Sequence, residues 1–354
     1  MEKSLSRIRG LLLLAIALTL LVLLLGVATR LLDAGLGCPD WPGCYGRLVV
    51  PDAEQAAQFS PQPLDPVKAW MEMVHRYAAT SLGVLAIILL GFSLRMRSLN
   101  KSLWKYSAAL LTLVIAQGLF GMWTVTLKLW PVVVTGHLLG GLTCLIAFCG
   151  FYWRLCELDP ESWNEPAVGD DKTRRSMNPL FWLTLVVLVG QITLGGWTSS
   201  NYAGVGCIGF PQCNNEWWPE ANFRQGFHLS PEIGPDYLHG QLDAAARTAI
   251  HLSHRMGALL LGITIVWLYW QQRDANARIK RSVTRLGMLY VIQLTVAYGL
   301  ISFSLPFLLA LLHTLMAALL LIALIHAGYQ GLAWKRAVEL NKVPVVRLRR
   351  EYGN

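Results

Sequence analysis

Residues 10–29 read GLLLLAIALTLLVLLLGVAT, a run with no charged side chain. A helix rises about 1.5 Å per residue, so about 20 apolar residues match the hydrocarbon of a bilayer. Seven further stretches are long and apolar enough to do the same: 69–94, 104–127, 131–153, 179–198, 244–270, 284–304 and 306–330. Each must be helical, because hydrocarbon offers nothing to open backbone N–H and C=O groups. A single run of this kind fits a buried soluble helix, but eight of them in 354 residues read as an all-α integral membrane protein. The first run is too long for a cleaved signal peptide, and no small-residue cleavage site closes it.

Composition points the same way. Only 14% of residues are charged and mean hydropathy is +0.44, whereas soluble domains carry about 25% charged residues. The net charge of +9 would suggest nucleic acid on a soluble domain. Here the charge is confined to short clusters. The N-terminal tail, the segments after the second, fourth and sixth runs, and the C-terminal tail together hold 22 of the 30 Lys and Arg residues. By the positive-inside rule these segments are cytoplasmic, so both termini are inside and no nucleic-acid partner is expected. The outer segments are 30–68, 128–130, 199–243 and a tight turn near Ser304–Pro306. None is long or apolar enough for a core of its own, which places function in the helical bundle or at its outer face.

The chain repeats itself. Ala34-Gly-Leu-Gly-Cys38 returns as Ala203-Gly-Val-Gly-Cys207 and Cys44 as Cys213, at an offset of 169. His75-Arg76 returns as His254-Arg255 at 179, while Gln117 and His137 return as Gln293 and His313 at 176. Runs one to four and five to eight therefore read as two copies of one four-helix unit. Four is even, so the copies share an orientation and form a parallel repeat. The expected organisation is an N-terminal half over 1–160, a cytoplasmic linker over 161–178 and a C-terminal half over 179–354. A second echo, Gln191-x-x-Leu-Gly-x-Trp-Thr198 against Gln117-x-x-Phe-Gly-x-Trp-Thr124, pairs runs that the duplication does not pair. It reads as a packing similarity.

Four of the eight histidines, His75, His137, His254 and His313, lie six to ten residues inside their runs. They occupy the second and fourth helices of each half, toward the outer leaflet. An ionisable side chain inside a span is a functional candidate by default, and matched depth in a duplicated unit makes these four candidate ligands. Two histidines on facing helices of a four-helix bundle suit a haem. Zinc or copper would want three or four close ligands. Gly136, Gly140, Gly141 and Gly257 beside them leave room for a flat guest, or merely for close helix packing. His251 shares a face with His254; it is placed to be an alternative ligand or a propionate partner, and reads best as a residue supporting the site. His228, His239 and His326 read as structural or surface residues.

Glu72 and His75 are three apart and face one guest. Arg76 is placed to pair with Glu72 or to donate to a haem propionate. The second half has His251 where Glu72 would fall, so the halves are chemically unequal. That asymmetry suggests one haem that is processed and one that is a cofactor. Arg255 is the matching propionate candidate, with snorkelling as the alternative for both arginines. Cys38/Cys44 and Cys207/Cys213 lie in outer segments, where an oxidising exterior favours disulfides. They are loop staples or redox-exchanging pairs. Cys144, Cys149 and Cys156 read as small apolar filler.

Taken together, Glu72-x-x-His75-Arg76, His137, His254-Arg255, His313 and the two cysteine pairs resemble haem A synthase over all eight runs. The resemblance implies oxidation of the C8 methyl of haem O to a formyl group by successive hydroxylations, giving haem A for haem-copper oxidases. It implies a place in the bacterial inner membrane. His75 and His137 would hold the substrate haem. His254 and His313 would be axial ligands of a haem b cofactor, and Glu72 would assist proton transfer. The cysteine pairs would be disulfides, and His251 receives no role. Implied partners are haem O, the haem O synthase that supplies it and an electron acceptor; a homo-oligomer is compatible. The rival readings are a di-haem b-type electron-transfer protein and a haem carrier.

Overall fold

The computed structural model describes residues 2–97, 102–157, 179–273 and 277–339; the expected linker 161–178 lies outside them. Ten α-helices follow in order: α1 Glu2–Leu31, α2 Ala53–Phe59, α3 Pro66–Arg95, α4 Leu103–Thr126, α5 Pro131–Cys156, α6 Pro179–Ser200, α7 Phe223–Gly226, α8 Ala244–Gln271, α9 Ala277–Ser302 and α10 Phe307–Glu339. All but α2 and α7 are long and apolar enough to cross a membrane. The eight expected runs each appear, with ends shifted by up to nine residues. Among the described residues there is no named strand, only isolated bridges at Cys44–Arg47 and Cys213–Glu216.

The helix boundaries have local causes. Pro66 opens α3, where its missing N–H costs nothing, and the Asp65 carboxylate accepts from Val67 and Lys68. Asp243 accepts from the Ala246 N–H and starts α8 in the same way. At the other ends, Lys128-Leu129 and Ser304-Leu305 adopt left-handed backbone. The Leu129 and Leu305 N–H groups turn back to the carbonyls of Thr124 and Leu300, each at 2.8 Å. These reversals satisfy helix-terminal carbonyls and return the chain immediately as α5 and α10.

α1 packs on α3 and α5, α3 on α4, and α4 on α5. α6 packs on α8 and α10, α8 on α9, and α9 on α10. Between these sets α5 meets α6, α1 meets α10 and α5 meets α10. Every one of these contacts has its counterpart when α1, α3, α4 and α5 are exchanged for α6, α8, α9 and α10. A buried cluster around Leu145, Leu188, Leu268, Leu286 and Leu324 joins the two sets. Another, around Ile8, Leu12, Leu89, Phe148 and Leu155, fills the first set at its far end.

The first outer segment folds down on α3. Its disulfide, Tyr45 and Ala56 bury themselves against Ala69 and Met73, so the segment borrows a helix for its core. At the join, Arg30 donates to the Ser199 carbonyl and lies 3.6 Å over the Tyr202 ring. The Tyr202 hydroxyl donates to Asp33 at 2.7 Å. In both hydrogen bonds the partners are 169 residues apart, which is the offset of the sequence repeat.

Candidate active site

His75 lies on α3, His137 on α5, His254 on α8 and His313 on α10. The His254 and His313 ring centres are 6.4 Å apart with the planes inclined at 69°. Metal–imidazole bonds of about 2.0–2.1 Å would set two opposed ring centres about 6 Å apart, so this pair can embrace one iron. The His75 and His137 rings are close enough to interact electrostatically. His75 Nδ1 and His313 Nδ1 are buried with no hydrogen-bond partner. Among the described residues no group of three or more His, Cys, Asp or Glu side chains converges on a metal site. Paired imidazoles without such a cluster suit haem, which needs only axial ligands, better than zinc or copper.

Three glutamines that the sequence did not mark as site residues hold these rings. Gln117 Nε2 meets His137 Nδ1 at 3.0 Å and also donates to the His137 carbonyl. Gln191 Nε2 meets His254 Nδ1 at 3.1 Å and donates to the His254 carbonyl at 3.0 Å. Gln293 Nε2 meets His313 Nε2 at 3.2 Å. The Gln-x-x-x-Gly echo is therefore a device shared by the sites, not the packing similarity expected from the sequence. Four residues after two of the glutamines, Gly121 and Gly195 lie against the same histidines. A Cβ there would sit 3.3 Å from the His137 ring and 3.2 Å from the His254 ring. Gly26 does this for His75, at 3.0 Å. The signal was present in the sequence, since Gln117 and Gln293 share the offset of His137 and His313.

Gly140 and Gly257 prove to make room for these glutamines. A Cβ would lie 2.1 Å from Gln117 Oε1 at the first and 2.2 Å from Gln191 Oε1 at the second. The expectation that they admit a flat guest gives way to that closer neighbour.

Glu72 is buried, 4% exposed. Its Oε2 accepts the Cys38 N–H at 2.9 Å and its Oε1 pairs with Arg76. The carboxylate thus ties the first disulfide loop to the helix of His75. In the second half His251 Nδ1 accepts the Cys207 N–H at 3.2 Å. Glu72 and His251 occupy equivalent places in the sequence repeat, and each accepts a cysteine N–H. Arg76 also donates to the carbonyls of Asp40, Pro42 and Gly43. Arg255 donates to those of Gln212 and Cys207 at 3.1 and 2.9 Å, and its buried Nε has no partner.

Cys38–Cys44 and Cys207–Cys213 are both bonded. Cys144 and Cys149 are buried free thiols and Cys156 is partly buried. The other three histidines are engaged elsewhere. His326 stacks on Trp153 with ring centres 4.7 Å apart. His239 lies 3.5 Å from Asp33, and His228 lines a cavity of about 340 Å³ under the second outer segment.

A family model described as COX15-CtaA, cytochrome oxidase assembly protein, matches residues 9–325. This chain belongs to that family. Among its relatives, the haem A synthase of Shewanella oneidensis is 36% identical over 330 residues, covering 92% of this chain and 96% of that one. The haem A synthase of Caulobacter vibrioides is 28% identical, covering 86% and 90%. That of Chelativorans is 28% identical, covering 85% and 84%. The matched region of the COX15-CtaA model contains all four paired histidines, the three glutamines, Glu72 and both disulfides.

Proposed function

We propose that this membrane protein is a haem A synthase, oxidising the C8 methyl of haem O to a formyl group by successive hydroxylations in the bacterial inner membrane. The observation that carries the reading is the pairing of buried imidazoles, once in each helix set, in a chain matched nearly end to end by proteins of that name. Further support comes from Arg30–Ser199 and Tyr202–Asp33. Residues equivalent by sequence touch each other, as happens beside a two-fold axis. We take residues 1–160 and 179–354 as two parallel-repeat four-helix bundles about such an axis. The Lys and Arg bias puts both termini in the cytoplasm.

On this reading His75 and His137 bind haem O, and His254 and His313 hold a haem b cofactor. Haem b would supply one-electron transfer, carrying electrons away from the oxidised methyl. The protein's own part is placement. Gly26, Gly121 and Gly195 let three rings sit tight against neighbouring helices. The glutamines fix the ring planes. Glu72, one turn from His75, is the proton-handling group. Its Oε1 pairs with Arg76, so a swing of that guanidinium would loosen the carboxylate to take a proton. Arg76 and Arg255 lie beside the outer loops, where propionates of an edge-on haem would emerge, and Arg255 keeps an unused buried Nε for one. The unequal pair Glu72 and His251 supports one reacting and one relaying site. The rival, a di-haem electron-transfer cytochrome, gives no account of that inequality, and the chain-long matches do not favour it.

The test is chromatography of haems extracted from the purified protein, wild type beside Glu72→Gln, from cells supplied with haem O. Haem A in the wild type and accumulated haem O in the variant are expected. Two haems b per chain in both proteins would overturn the proposal.

A further inference from the structure

A histidine that binds iron through one ring nitrogen must present its other N–H to an acceptor, and that acceptor sets ring orientation and ligand strength. A glutamine amide offers both a donor and an acceptor. Gln191 Oε1 and Gln293 Oε1 are buried with no hydrogen-bond partner, although each amide already touches its histidine through Nε2. At Gln293, turning the amide over would place that idle oxygen on the imidazole; at Gln191 the same turn would exchange the Nε2 bond to the His254 carbonyl for it. A structural glutamine would not be expected to leave its acceptor unmatched in a buried site.

The fourth histidine breaks the pattern. At the repeat offset of 169, the residue equivalent to Gln191 is Val22, and the glycine four residues later is kept as Gly26. His75 therefore has the glycine contact but no amide. Its ring hydrogen-bonds the Val22 backbone instead of a side chain, and its Nδ1, like that of His313, is a buried orphan. Ring by ring, three candidate ligands are held by a neighbouring side chain and one is not. The exception falls in the half that also carries Glu72.

We propose that Gln117, Gln191 and Gln293 are positioning residues that lock His137, His254 and His313 as axial ligands, and that His75, with Val22 in place of a glutamine, is the ligand built to release its iron. The inference rests on the haem reading above and deepens it. An iron held by two fixed imidazoles has no open position. A single loosely held histidine lets the substrate haem expose one face while the other haem stays closed.

Reciprocal exchanges test this in the haem-loaded protein, with carbon monoxide as the probe of an open position on reduced iron. Wild type is expected to bind carbon monoxide at one of its two haems. Val22→Gln should weaken that binding at least tenfold while haem b stays in place. Gln191→Val should create a second carbon monoxide site at the other haem. Gln191→Glu should lower the midpoint potential of haem b, because a carboxylate acceptor strengthens the imidazole as a donor. Each tenfold change in the relative stability of the two iron states moves a one-electron potential by about 59 mV. A purely structural glutamine would change yield but neither potential nor carbon monoxide binding. Unchanged carbon monoxide binding in both Val22→Gln and Gln191→Val would overturn the proposal, and so would an unmoved potential in Gln191→Glu. Should Val22→Gln fail to accumulate, the two Gln191 variants decide by the same readouts. A wild type that carries no haem would instead refute the haem reading itself.

Discussion

Gly37→Ala attacks the contact that seats the first disulfide loop on α3. A Cβ at Gly37 would lie 2.6 Å from the Lys68 carbonyl carbon, 2.7 Å from its oxygen and 2.8 Å from the Ala69 nitrogen. All three are backbone atoms in a helix, so the loop must retreat. Restoring ordinary contact requires about 0.8 Å of movement next to the Cys38 N–H, whose bond to Glu72 is 2.9 Å long. The stretched bond would be about 3.7 Å, outside hydrogen-bond range. Forced packing costs about 1–3 kcal/mol. Losing a buried hydrogen bond to a charged group adds about 1.5–3 kcal/mol. A total loss of about 3–6 kcal/mol follows from these two terms. Thermal unfolding of the detergent-solubilised protein should show Gly37→Ala melting well below wild type, with less haem O converted because Glu72 loses its bond to the Cys38 N–H. Gly83→Ala is the control, since nothing lies within 4 Å of a Cβ there. If the two variants melt together, the close approach is not what seats the loop.

Three further outcomes follow from the same geometry. Replacing Cys207 and Cys213 by serine opens a bridge of sequence separation six; loop entropy then predicts a loss of about 2 kcal/mol, read as a lower unfolding midpoint. Gly257→Ala would push Gln191 off His254, because its Cβ would fall 2.2 Å from Oε1; carbon monoxide titration of the haem-loaded protein should show the second binding site proposed for Gln191→Val. The Tyr202 phenol is pushed up to about 12, chiefly by burial, whereas an unfolded tyrosine ionises near 10. The folded state thus keeps this proton between those values, and stability falls as pH rises through that window; Tyr202→Phe should flatten that part of the stability–pH curve.

Much of the site was legible in the amino-acid sequence, for particular reasons. His75, His137, His254 and His313 stood out because an imidazole inside an apolar run has few structural excuses, and because the repeat offsets matched them in pairs. The disulfides were legible because both cysteines of each pair lie in one short outer segment. Glu72 and His251 were visible as an inequality between the halves. Their common hydrogen bond to a cysteine N–H was not, since those partners lie 34 and 44 residues away. Gly140 and Gly257 stood out as small residues, but their neighbour did not, because a glycine in a sequence tells only that something comes close.

What the sequence determined by itself is the number of membrane helices, their repeat and the four buried imidazoles. Hydrophobicity over about 20 residues is a local property, and hydrocarbon permits only one local answer to it. What the tertiary structure alone decided is which side chains meet. Gln191 reaches His254 across 63 residues, and Arg30 reaches Ser199 across 169. Such meetings depend on the rotation and depth at which one helix packs against another. Small residues and single polar contacts set those quantities, and no periodicity within a single helix encodes them.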